Sequence, residues 1–69
     1  MEKLRLFLVE KREHAWQFCT TPRSGRDGLR VWLPRSQIER YMAFGAAPGE
    51  WPECEVQIPS WLARAKKLI

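Results

Sequence analysis

The sequence predicts a mainly β protein: a small curled antiparallel sheet, or an SH3-like or OB-like barrel, of about four strands with a short C-terminal helix. Three observations predict it. Apolar and polar residues alternate with period two in four separate short stretches. Proline and glycine bound those stretches. The clearest apolar stripe at helical spacing, Trp61, Leu62, Ala65 and Leu68, lies at the C-terminal end. With 69 residues there is room for one domain, 1–69. The strands follow one another too closely for parallel crossovers, which need a dozen or more residues each.

Lys3 to Val9 places Leu4, Leu6 and Leu8 on one face and Arg5, Phe7 and Val9 on the other, the pattern of a strand covered in part on its second side. The charged group Glu10-Lys11-Arg12-Glu13 suits a bend or an exposed strand end. Ala15 to Thr21 alternates again, with aromatic residues that favour a pleated surface, and stops at Pro22. Residues 22–28 read as a turn, most sharply at Asp27-Gly28. Leu29 to Leu33 alternates until Pro34, so the two stretches read as a hairpin.

After Pro34 the period changes. Ser36 and Glu39 fit a capping box, and Ile38, Tyr41 and Met42 follow at helical spacing before Gly45, which predicts one or two helical turns. Ala46 to Pro52 reads as a loop. Cys54, Val56 and Ile58 share one face of a further strand, with Glu53, Glu55 and Gln57 on its wet side. Pro59 suits a helix start. Arg64, Lys66 and Lys67 suit its end, where cations meet the negative pole of the helix dipole. Leu6, Leu8, Val31, Leu33, Val56, Ile58 and Leu62 are the expected core.

Composition narrows function. No apolar run approaches the 18 or so residues of a membrane span, and the longest, Leu6 to Val9, is too short for a signal-peptide core. The expected location is the cytoplasm, with Cys19 and Cys54 as reduced thiols packed on strands. Two cysteines and His14 fall short of four converging zinc ligands, so no metal and no cofactor is expected. His14 is the one histidine and sits in a charged segment, while Ser24, Ser36 and Ser60 read as turn or cap residues. Nothing here assembles a nucleophile, its base and an orienting group, so the expectation is a protein that is not an enzyme and takes no small-molecule substrate.

Two binding readings stand. Twelve Lys and Arg against eight Asp and Glu give a net charge of +4. Arg23, Arg26 and Arg30 cluster on and beside the hairpin loop, Arg35 flanks the middle turn, and Lys66 and Lys67 lie on the last helix. Arginine forks suit bidentate contact with phosphate. Trp16, Phe18 and Trp32 would stack bases if they face outward. Against this, acidic residues interrupt the basic runs, and most tryptophans serve cores. The second reading rests on the aromatic loop 41–51. Tyr41, Phe44 and Trp51 exceed what so small a core needs, and exposed aromatics mark protein interfaces.

Residues 31–39, Val-Trp-Leu-Pro-Arg-Ser-Gln-Ile-Glu, and 56–63, Val-Gln-Ile-Pro-Ser-Trp-Leu-Ala, carry a resemblance. They resemble a family of short bacteriophage and prophage proteins with the pattern W-[LI]-P-[KR]-S-Q-I, a spacer, then V-x-[IV]-P-x-W-L-A. The segment Glu13 to Phe18 is similar to that family's second strand. Loop 21–28 departs from it by being basic, and 40–52 by looking like an insertion. The resemblance implies a small phage-type protein in a bacterial host, without assigning an activity. From the arginines and aromatic residues, its partner is expected to be nucleic acid or a nucleoprotein complex. The alternative is a protein-binding inhibitor of a host defence effector, in the manner of an anti-CRISPR protein.

Overall fold

The computed structural model describes all residues, 1–69. Five antiparallel strands form one sheet: β1 Glu2–Lys11, β2 Ala15–Cys19, β3 Arg30–Pro34, β4 Arg40–Gly45 and β5 Glu53–Ile58. Their order is β3-β2-β1-β5-β4, and one helix, α1 Ser60–Ala65, follows. The fold is thus mainly β with a short C-terminal helix, as the alternation predicts, with one strand more than expected. No helix is long and apolar enough to cross a membrane.

The longest strand, β1, is shared by two halves of the sheet. Its first part, Glu2 to Phe7, pairs with β5 from Ile58 back to Glu53. Its second part, Phe7 to Lys11, pairs with β2, with the register shifted between Leu8 and Glu10. An extra residue at such a point bends a strand and increases its twist. The bend lets one face of the sheet curl inward. Into it point Leu6, Leu8, Phe18, Val31, Leu33, Cys54, Val56 and Ile58, all buried. Ile38 closes one side, and Leu62 and Ala63 of α1 close another. All seven expected core residues are in this set.

The segment after Pro34 differs from expectation. It holds a single 3-10 turn, Arg35–Gln37, and then strand β4, in place of a helix running to Gly45. The capping box does not form, because the Glu39 N–H donates to the Gln57 carbonyl at 2.8 Å and is drawn into the sheet. Tyr41 and Ala43 lie opposite Val56 and Cys54 on the inward face. The tyrosine ring meets Trp16 edge-on at 5.1 Å, spanning the interior between β4 and β2. Residues 41–45 are therefore strand, and the loop proper is 46–52.

The last helix also turns differently. Trp61 is 60% exposed and Ala65 is exposed, so the buried pair is Leu62 and Ala63 rather than the stripe Trp61, Leu62, Ala65 and Leu68. Pro59 takes the N-cap position, and Leu62 and Ala63 both donate their N–H to its carbonyl at 3.1 Å. Those two bonds fix which side of the first turn meets the sheet.

Candidate nucleic-acid interface

One row of residues crosses the whole sheet: Arg30, Cys19, Phe7, Glu53 and Gly45, each opposite the next. Val31, Phe18, Leu6, Leu8 and Cys54, their neighbours on four of the five strands, point into the core, so this row lies on the other face. The β2–β3 loop leaves the row at Cys19 and returns at Arg30. The β4–β5 loop leaves at Gly45 and returns at Glu53. Two hairpin tips thus start from the same level and meet over the outer face of β1. Leu8 donates its N–H to the Pro52 carbonyl at 3.0 Å, which ties the second loop down.

Three contacts join the tips. The Ser24 N–H donates to the Glu50 carboxylate at 3.3 Å, and the Arg23 guanidinium donates to the Gly49 carbonyl at 3.5 Å. The Arg30 guanidinium carbon lies 4.9 Å from the centre of the Trp51 ring. Between the tips is a cleft of about 210 Å³ lined by Arg23, Asp27, Arg30, Trp51 and the buried Cys19, among others. Its floor is shaped by Gly28, where a Cβ would come within 2.7 Å of the Cys19 sulfur. Asp27 next to it has φ of 60°, a left-handed conformation that Asp tolerates in turns.

The structure sorts the expected residues. Arg23, Arg26 and Arg30 are exposed on one loop and its strand, and none of them forms an ion pair. Arg35 is not with them. It follows the far end of β3, donates to the Ile38 carbonyl at 3.2 Å and lies 4.8 Å from the Trp16 ring centre. Lys66 and Lys67 lie beyond α1, which leaves the sheet where Ile58 pairs with Glu2, away from the Phe7 row. Lys67 has φ of 59° at the helix end.

The expected aromatic interface also divides. Tyr41 points into the curl, and burial, with the charge of Cys54, raises its pKa. Phe44 is 47% exposed on the outer face, where the Arg5 guanidinium lies 4.3 Å from its ring centre. Trp51 is half-buried in the cleft. The three are on separate surfaces because alternation along β4 sends Tyr41 inward, while Phe44 occupies a register shift between Ala43 and Gly45.

Of the three residues considered for base stacking, Phe18 is fully buried and Trp16 packs among Phe18, Tyr41 and Lys11. Only Trp32 faces outward. Sequence reasoning assigns Trp51 to protein contacts and Arg30 to phosphate, and so misses that they share one site. It also misses Arg12, whose guanidinium bonds Glu10 and lies 5.6 Å from the Trp32 ring centre. Comparison with family models, curated proteins and solved structures gives no match.

Proposed function

We propose that this chain is a small non-enzymatic binding protein of phage type that acts by occupying a nucleic-acid or nucleoprotein surface. The observation that carries the reading is the cleft between the hairpin tips, which gathers Arg23, Arg30 and Trp51 with Arg26 on the same loop. Arginine forks without acidic partners are suited to phosphate oxygens, and an indole beside them supplies a stacking surface. The phage type rests on the resemblance carried by residues 31–39 and 56–63.

Titration of labelled oligonucleotides at low salt tests it. Binding that weakens steeply as salt rises is the expected result, because each neutralised phosphate releases counterions. No binding to any single- or double-stranded oligonucleotide at micromolar concentration removes the reading.

A second reading has its own observation. Met42 and Phe44 are exposed on the edge strand β4, at 41% and 47%, and apolar side chains beside an open sheet edge suit a protein partner. Under this reading the chain inhibits a host defence effector by covering a surface of it. Capture of such an effector that survives nuclease treatment and is lost in Phe44→Ala favours this reading over the first.

A further inference from the structure

The outward side of β3 continues the site beyond the cleft. Arg30 and Trp32 are two residues apart, so their side chains leave the same face of the strand, about 6.6 Å apart along it. Arg30 turns toward Trp51 on one side. Trp32 is 38% exposed, and Arg12 from just beyond the end of β1 approaches its ring on the other side. Across the surface the order is Trp51, Arg30, Trp32, Arg12: two indoles alternating with two guanidinium groups. Beside Trp32 lies an open depression of about 440 Å³ bounded by Arg12, Glu13, His14 and Ala15. The core does not require Trp32, because Val31 and Leu33 supply the buried side of β3.

We infer that this stripe is the track of a single-stranded nucleic acid. Bases stack on Trp32 and Trp51, while phosphates meet Arg30 and the loop arginines Arg23 and Arg26. The inference rests on the proposed function and narrows it from nucleic acid in general to single strands. Two arguments favour the single strand. An indole lying on a sheet face offers a base-sized apolar plane, and in a duplex the faces of the bases are hidden in the stack. A duplex reader places a helix or ribbon in the major groove, and the one helix here has six residues and stands away from Arg23, Arg26 and Arg30. Arg26 and Arg30 have no acidic partner, Glu10 is held by Arg12 and Glu50 by the Ser24 N–H, so the arginines outnumber the acids left along the stripe, Asp27 in the cleft and Glu13 beside Trp32.

The test is fluorescence anisotropy on the full chain at low salt. The probes are labelled oligothymidylate and oligouridylate of about 12 nucleotides, within the span one small domain covers, and a duplex of equal length. The expected result is tighter binding to a single strand, DNA or RNA, than to the duplex. Trp32→Leu keeps apolar bulk but removes the aromatic face, and it should weaken that binding at least about five-fold, with Trp32→Phe retaining most of it. Equal or tighter binding to the duplex overturns the inference. So does a folded Trp32→Leu that binds as tightly as the native chain while Arg30→Gln binds weakly. In both cases the broader proposal survives. The native chain gives an independent reading, since stacking quenches indole emission; saturating single-strand binding with unchanged tryptophan fluorescence also overturns the inference. Failure to bind either form defeats the broader proposal together with this one.

Discussion

The guanidinium of Arg30, at the first position of β3, lies over the indole of Trp51, in the loop before β5, at 4.9 Å from the ring centre. Neither residue has this partner by sequence proximity. They meet because Cys19 opposite Arg30 and Glu53 near Trp51 both pair with Phe7 of β1. The contact therefore reports that both hairpins are docked, and it joins a guanidinium of one hairpin to an indole face of the other.

Replacing Trp51 with alanine should lower stability modestly. The ring is half-buried, and an exposed cation–π contact contributes about 0.5–1 kcal/mol. With more than about 1 kcal/mol added by the apolar area the ring covers, a total of about 2 kcal/mol moves the melting midpoint by roughly 8–16 °C in a domain this small. Thermal melting checks this, and oligonucleotide affinity should fall in the same variant. A loss of about 3–5 kcal/mol, the range for a buried tryptophan, would make Trp51 a core plug instead.

Charge removal should separate the loop arginines from the helix lysines. Arg23→Ala, Arg26→Ala and Arg30→Ala together should flatten the dependence of log affinity on log salt, by about 0.7–0.9 for each phosphate that is no longer neutralised. The far-ultraviolet circular dichroism should not change, because all three side chains are exposed. Lys66→Ala with Lys67→Ala should leave the slope near that of the native chain, since they lie off the cleft.

Gly28→Ala should disturb the cleft from below. The new Cβ would collide with Thr21 Oγ1 and come within 2.7 Å of the sulfur of the buried Cys19, so the loop must shift to admit it. Overpacking of this kind costs about 1–3 kcal/mol. A chemical denaturation curve should show that loss with an unchanged slope, and nucleic-acid affinity should drop as the loop is displaced.

Alkaline pH should destabilise the fold through the core thiol. Burial pushes the Cys54 pKa up to about 11, with Glu53 adding to the rise and a backbone hydrogen bond at Leu6 opposing it. Tyr41 is raised in the same direction by burial. Both groups hold their protons more tightly folded than unfolded. Their contribution is thus intact below the thiol's ordinary value of 9.0 and is lost as pH climbs through about 11. Melting temperature followed across that window should fall, and Cys54→Ala should make the fall shallower. In the native state near neutral pH, Cys54 should resist thiol reagents until the protein unfolds.

Much of the fold is legible in the residues because period-two alternation survives wherever one side of a strand is buried. Leu6 and Leu8, Val31 and Leu33, and Cys54, Val56 and Ile58 all follow it. Strand β4 escapes because it lies at the sheet edge. Its inward residues are Tyr41 and Ala43, its outward residues Met42 and Phe44 are apolar too, and the alternation is erased. Ile38, Tyr41 and Met42 then mimic helical spacing by coincidence. Ile38 is in fact buried by the 3-10 turn and Tyr41 is packed inward by the strand after it. The arginine cluster is legible as a run on one hairpin. Its meeting with Trp51 is not, because that depends on both hairpins pairing with Phe7 of β1, which no local pattern encodes. Spacing alone assigns Trp61 to the core, while the N-terminal bonds of α1 rotate it to the surface.

The sharing of β1 between both halves has a kinetic side. Its partner β2 follows within a few residues, but its other partner is 56 positions from Glu2, at Ile58. An N-terminal fragment ending before β5 would leave Leu4 and Leu6 without their strand partners Val56 and Cys54. Closing that long loop costs entropy before its contacts reward it. Folding should therefore be all-or-none, slow for so small a chain, and completed only once β5 is available to seat on β1.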